Sequence, residues 1–337
     1  MARRKKANKK NKYKARRILF VILILLVLAI AGYLGNMFSN LSKVKTVKIT
    51  ETKEALEVSD KAVEKSNEYD VINFAFFGID SRESGETARS DSIMIATIDK
   101  EHNKIKLSSI MRDTYVSISG HDKDKITHAY AYGGPQLAVS TLNKNFDLNI
   151  KYFVTVDFFD MEKIIDTLGG VEIDVKKDEI DLINGYSVET STISKTKRKL
   201  VTKSGLQVLN GMQAVSYTRI RYTAGGDFVR TERQRTVLTA LLNKIASMDK
   251  AKFATIVPTL AQYVETNLGA TDMLSIGIDA LQAGISNIDQ ERFPIDGNAF
   301  DKKINGIYYL TTDLDLTTEQ IHDYIYEDIK PVMDTKK

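Results

Sequence analysis

The sequence predicts an α/β domain in which a mixed sheet lies between layers of helices, and three observations predict it. Short runs rich in β-branched and aromatic residues, such as Val71–Asp80 (VINFAFFGID), have strand length rather than helix length. They intermix along the chain with stretches whose apolar residues recur every three or four positions. The 337 residues leave ample length for one large core or two smaller ones, and no internal repeat divides them.

Taken in order, residues 1–17 carry ten Lys or Arg and no acid, and Ile18–Leu34 is an uninterrupted apolar run without charge. A helix needs about 17 to 20 apolar residues to cross a bilayer, so the run is just long enough. Its basic flank keeps the N-terminus cytoplasmic and puts the bulk of the chain outside. Residues 18–35 are therefore expected to be an uncleaved signal anchor in the cell membrane. A cleaved signal peptide would have a shorter apolar core and a small-residue cleavage site, for which Gly32-Tyr33-Leu34-Gly35 is a poor match. Residues 36–70 are polar and charged and read as an extracellular stalk with a short strand and helix. The domain proper is expected over 71–337.

Within it, a strand ends at Gly78, and Ser92–Asp99 and Lys104–Met111 form a hairpin through His102-Asn103. Lys125–Gly134 is expected as a loop leading to a helix that starts at Pro135 and runs to about Asn145. Tyr152–Val156 is a strand, and Phe158–Leu168 is a helix closed by Gly169-Gly170. Residues 176–204 are polar and aperiodic and are expected as an exposed loop. Gln207–Tyr217 is a helix, and another runs from the Gly225-Gly226-Asp227 turn to about Met248. Further helices are expected near Phe253–Glu265 and Met273–Ala283, then strands at Arg292–Ile295 and Ile307–Leu310. A closing helix, Thr317–Ile329, has Thr317 and Gln320 at capping-box spacing.

Charge has to be divided before it says anything. The whole chain is +4, but the tail holds ten basic residues, leaving 38 basic against 44 acidic outside it, a net of −6. An acidic exported domain has no general basic field for nucleic acid. The absence of cysteine excludes disulfides, thiolate metal sites and a cysteine nucleophile. Walker-A, H-E-x-x-H and G-x-S-x-G patterns are also missing.

Chemistry concentrates in two places. Tyr217–Arg235 packs Arg219, Arg221, Arg230, Arg233 and Arg235 around a glycine turn, and guanidinium forks suit paired phosphate oxygens better than lysine does. Asp227 sits as the N-cap of the following helix, whose free amides also favour anions. On that helix Arg230, Gln234, Val237, Leu238, Leu241 and Ile245 fall on one stripe, polar first and then apolar. Arginine-rich helix starts are often merely solvated, but Arg219 and Arg221 alternate in a strand-like run and face one side. The second place is the pair Asp80 and Asp91, at the ends of successive strands, flanked by Arg82, Arg89 and, after the third strand, Arg112. Such a pair suits a glycosidase, a metal site or arginine partners. Dense arginine works against the raised pKa of a general acid, so ionised aspartates holding a hard cation such as Mg²⁺ are preferred. Aromatic residues in the strands are core by default, and a lipid pocket is the alternative.

The motifs GIDSR, RSDSIMIATID, LSSIMRDTYV, KITHAYAYGG, FDMEKIIDTLGGVEIDV, LNGMQAVSYTRIR and GGDFVRTERQR, in this order behind a basic tail and a single anchor, resemble the LytR-CpsA-Psr family of Gram-positive bacteria. The resemblance covers about residues 71–245 and weakens after about Met248. Met111 stands where many members carry proline before Arg-Asp, which leaves Arg112 in place. The resemblance implies a central mixed sheet flanked by helices on both faces, with a hydrophobic pocket for a polyprenyl chain. It implies a phosphotransferase that moves an anionic glycopolymer, such as wall teichoic acid or capsule, from undecaprenyl pyrophosphate to the 6-hydroxyl of N-acetylmuramic acid in peptidoglycan, with pyrophosphatase as a side activity. By the same resemblance Asp80 and Asp91 would associate with Mg²⁺, or Mn²⁺ in its place. Arg82, Arg89 and Arg112 would surround the pyrophosphate, and Arg219, Arg221, Arg230 and Gln234 would complete the cradle with Asp227 nearby. Two other classes stay open: a non-catalytic binder of prenyl lipid or wall polymer, and a cell-envelope transcriptional attenuator.

Overall fold

Residue alternation along the strands decides the architecture. In the second strand, Val71, Ala75 and Phe77 enter one core while Phe74, with the partly buried Ile72 and Phe76, enters another. A strand that is apolar on both faces must be covered on both. The computed structural model describes residues 45–80, 88–221, 226–282 and 287–332, all within one compact unit, Val44–Lys337. The expected tail and anchor lie outside the described residues. Among those described, no helix is long and apolar enough to cross a membrane.

The central sheet has seven strands: β1 (Lys45–Thr46), β2 (Val71–Ile79), β3 (Ser90–Asp99), β4 (Lys104–Ile110), β7 (Ile150–Asp157), β10 (Glu265–Thr266) and β11 (Asn287–Phe293). Their order is β1-β10-β7-β2-β3-β4-β11. β2, β3 and β4 are antiparallel, whereas β7 runs parallel to β2 and β11 parallel to β4. The sheet is mixed, as expected. Smaller pairs are β5 (Tyr115–Val116) with β6 (Asp124–Lys125), β8 (Val171–Val175) with β9 (Gly205–Leu209), and β12 (Phe300–Ile304) with β13 (Ile307–Thr311).

Helices cover both faces. On one side α1 (Asp60–Glu68), α2 (Ile126–Phe146) and α9 (Leu314–Tyr326) bury Ala62, Leu142 and Tyr324 against Ala75, Ile95 and Phe153. On the other, α6 (Gly226–Ala246) and α8 (Ala270–Gln282) bring Leu238, Leu242, Met273 and Ile276 onto Phe74, Ala96 and Leu107. A further core joins α6 to α3 (Phe158–Thr167), α4 (Ile180–Ser194), α5 (Gly211–Thr218) and the β8–β9 hairpin. There α5 seats so closely on α3 that a Cβ at Gly211 would lie 2.2 Å from the Glu162 carbonyl oxygen. The remaining helix, α7 (Lys250–Ala261), is capped by Asp249 and buries Phe253.

Several expectations need correction. The strand and helix expected in residues 36–70 are present in the described part, but Leu56, Val58 and Ala62 belong to the main core, so this stretch is packed onto the domain. The segment expected as a loop before Pro135 is helical from Ile126, interrupted by non-helical backbone at Gly133 and Gly134. Residues 176–204 contain α4, whose inward positions Ile183, Ser187 and Thr190 are mostly polar and hid the stripe. Residues 205–209 are strand β9, and α5 begins only after Asn210 caps it with Gln213 in a capping box. The closing helix starts at an Asp313 cap, and the Thr317 hydroxyl donates to the Asp313 carbonyl from inside it.

The topology fixes where the site forms. The end of β2, the start of β3, and the ends of β4, β7 and β11 all meet at one edge, where Ile79 pairs with Ser90 and Asp157, Ile93 with Ile110, and Ile110 with Phe293. The β2–β3 register passes from Gly78↔Ser92 directly to Ile79↔Ser90. Asp91 is the extra residue of this bulge, and bulges of this kind re-aim a side chain out of the pleat.

Candidate active site

At that edge Asp80, Asp91, Arg219, Arg221, Arg230 and Gln234 line one cleft of about 210 Å³, together with Phe158, Thr218 and Tyr186. Three of these residues, Phe158, Thr218 and Gln234, also line an adjoining apolar pocket of about 70 Å³. Its walls include Phe76 and Met94 from the sheet, Met161 from α3, and Val237 and Leu238 from α6. A polar cleft and an apolar pocket thus lie on either side of a shared wall.

Arg112 follows β4 and organises the carboxylates. Its Nη1 donates to Asp91 Oδ1 at 2.5 Å, and its Nε lies 3.6 Å from Asp227 Oδ2 and 3.8 Å from Asp113 Oδ2. Burial alone would lower the guanidinium pKa, but Asp227, Asp91 and Asp113 outweigh it and raise it. Asp227, expected as the N-cap, lies one residue inside α6, which begins at Gly226, and its Oδ1 meets Arg230 Nη2 at 2.8 Å. Arg230 is only 2% exposed. Burial pulls it down to about 10; Asp227 opposes this, while the charges of Arg112 and Arg221 reinforce it. At neutral pH it is still cationic, so three guanidiniums repel one another beside an open cleft. Nε and Nη1 of Arg230 are buried without hydrogen-bond partners, a state that costs about 1–3 kcal/mol for a buried polar group. An anion entering the cleft would relieve that repulsion.

Arg221 is half exposed, with Nη2 3.9 Å from Asp91 Oδ2. Arg219 is held by Glu189 at 2.6 Å and lies over the rings of Phe158 and Tyr186. The two arginines share the cleft without the predicted strand, because Arg219 is the C-cap of α5. Arg89 is exposed just before β3; the Tyr132 phenol, raised mainly by donating to Asp124, feels its charge from nearby. Arg82 lies outside the described residues. Arg233 turns the other way, pairing with Glu179 at 2.9 Å in the interior. Residues not singled out from the sequence also join the site: Asp113, which holds Lys125 at 2.7 Å and approaches Arg112, and Tyr186, which lay in the stretch expected to be a loop. The adjacency of Asp113 to Arg112 was the available signal for the first.

Among the described residues no group of three or more His, Asp or Glu gathers as a metal site. Mg²⁺, however, is commonly held by one or two carboxylates with substrate phosphates and water supplying the rest. Asp80 and Asp91 facing one arginine-lined cleft fit that donor set.

The LytR_cpsA_psr family model matches residues 35–323. The polyisoprenyl-teichoic acid–peptidoglycan teichoic acid transferase TagT of Bacillus subtilis (strain 168) is 34% identical over 271 residues, 77% of this chain and 79% of TagT. The structure of TagT bound to LIIa-WTA superposes with a TM-score of 0.61 at 29% identity, covering 77% of this chain and 90% of that one. A TagT structure with bound octaprenyl pyrophosphate lipid gives 0.57 at 27% identity, with the same coverages.

Proposed function

The chain belongs to the LytR-CpsA-Psr family, and we propose from that premise that it is a membrane-anchored transferase. It moves an anionic glycopolymer from a polyprenyl pyrophosphate carrier to the 6-hydroxyl of N-acetylmuramic acid in peptidoglycan, on the outer face of the cell membrane. The observation that carries this reading is the cleft of guanidiniums and carboxylates sharing Phe158, Thr218 and Gln234 with an apolar pocket. Such a pair of compartments suits a diphosphate head and the first carbons of a hydrocarbon tail, the apolar pocket being about 70 Å³.

In the proposed reaction the acceptor hydroxyl oxygen attacks the glycan-proximal phosphorus. A new P–O bond forms, the P–O bond of the anhydride breaks, and polyprenyl phosphate leaves. Arg112, Arg221 and Arg230 hold the diphosphate oxygens and neutralise charge on the departing phosphate, which is most of what phosphoryl transfer requires of a protein. Asp91 and Asp227 keep Arg112 and Arg230 aimed. The hydroxyl proton passes to Asp227 or to a phosphate oxygen. Asp80 and Asp91 are the residues that would hold Mg²⁺, and the cation would add its charge to that of the arginines. The test is incubation of the protein with a polyprenyl-pyrophosphoryl oligosaccharide, acceptor glycan and Mg²⁺. Arg112→Ala should reduce transfer about 10²–10³-fold, and transfer at the wild-type rate would remove Arg112 from this role.

A further inference from the structure

Behind Arg112 the chain builds a second feature, which transfer from a lipid carrier does not use. β13 is fastened to the segment after Arg112: Leu310 N donates to the Asp113 carbonyl at 2.9 Å, and Thr114 bridges Leu310. Lys125, paired with Asp113, lies 5.4 Å from the centre of the Tyr308 ring. The β12–β13 hairpin is therefore held beside the cleft by the buried Tyr309 and Leu310, while Phe300, Ile307 and Tyr308 are 55%, 52% and 40% exposed.

Between this hairpin and the start of α2 lies a groove of about 640 Å³ lined by His121, Asp122, Asp124, Tyr132, Asn305 and Ile307. Tyr132 is 46% exposed and stacks on His121 at 4.3 Å between ring centres. Its hydroxyl donates to Asp124 at 2.7 Å, and His128 Nδ1 meets the same carboxylate at 2.7 Å. Flat aromatic faces beside carboxylate and amide groups match a pyranose, which offers C–H groups on its faces and hydroxyls at its rim. In charge the groove differs from the cleft. Among the described residues its lining carries Asp122 and Asp124 against Lys123 and no arginine, with the charge of Arg89 felt at Tyr132 from outside it. A polymer bearing a phosphate in every unit would find no guanidinium fork in that lining, and an uncharged sugar chain needs none.

We propose that this groove docks the glycan strand of the acceptor, so that the attacking hydroxyl reaches the cleft past the Arg112–Asp113 segment. This rests on the transferase reading. The test uses the full-length protein in detergent, peptidoglycan glycan strands freed of stem peptides with their muramyl carboxyls amidated so that the chain is uncharged, and, separately, a phosphate-bearing wall polymer freed of lipid. Wild type should bind the stripped strands. Tyr132→Ala and Ile307→Asp, both at exposed positions, should each weaken that binding about ten-fold. They should raise the acceptor KM alike and leave the melting temperature, the donor KM and kcat at saturating acceptor unchanged. Strand binding by both variants equal to wild type, no strand binding by wild type, or a loss confined to the phosphate-bearing polymer would each overturn the assignment. Strand binding that depends on Tyr132 in a protein without transfer activity would support the groove and refute the transferase reading instead.

Discussion

Helix α6 buries two arginines less than one turn apart, and they do opposite things. Arg233 is 4% exposed and paired: its Nε meets Glu179 at 2.9 Å, its Nη1 approaches the Ile220 carbonyl, and its guanidinium lies over the Tyr217 ring. Glu179 is itself anchored, accepting from the Lys176 amide at 2.9 Å. Arg230 is equally buried and meets Asp227 through Nη2, but it keeps Nε and Nη1 unused and feels the like charges of Arg112 and Arg221. The first is a closed structural pair, and the second is a charge held ready for a partner. Burial and residue type alone do not distinguish them; the direction each faces does.

The contrast can be broken by substitution. Arg230→Met should reduce transfer about 10²–10³-fold, while removing an under-used buried cation leaves the melting temperature unchanged or higher. Arg233→Met should do the reverse. It strands Glu179 in the interior at a cost of about 3–5 kcal/mol, and Glu179→Leu in the same chain should restore most of it. Equal thermal destabilisation by the two single variants, measured by calorimetry, would erase the distinction.

A third buried charge sharpens it. Glu162 is 8% exposed with Oε1 unpartnered, and burial, helped by Asp166, pushes it up to about 7 although Arg219 opposes the shift. Its folded pKa exceeds its unfolded value of about 4.3, so the folded state binds more protons between the two and stability falls as pH rises through that window. Glu162→Gln should therefore stabilise the protein by about 2 kcal/mol at pH 8 and by nothing measurable at pH 4. A pH-independent effect in denaturant titrations would mean that the carboxyl is not destabilised by its charge. The smallest effect belongs to a neutral helix cap. Asn210→Ala removes the side chain that accepts from the Gln213 amide and should cost about 1 kcal/mol without changing transfer.

What was legible from the sequence follows from the same physics. β2 and β3 were found because strands buried on both faces carry apolar runs with few alternatives, and β4 because Ile105 and Leu107 alternate with Lys104 and Lys106. α4 was not, since Ser187 and Thr190 occupy inward positions. β9 was mistaken for helix because Leu206 and Val208 are 66% and 60% exposed, contrary to the pattern expected of a half-buried strand. In the site, Asp91, Arg112 and Arg230 were legible from strand ends and helix spacing. The opposite fate of Arg233 was not, because its partner Glu179 is 54 residues away in sequence and no local pattern announces it.

The most direct measurement is a crystal structure of the protein soaked with a polyprenyl pyrophosphate. The diphosphate should be held by Arg112, Arg221 and Arg230, and the first isoprene units should enter between Phe158, Val237 and Leu238. Lipid bound on another surface, with the donors of Arg230 still unused, would contradict the account.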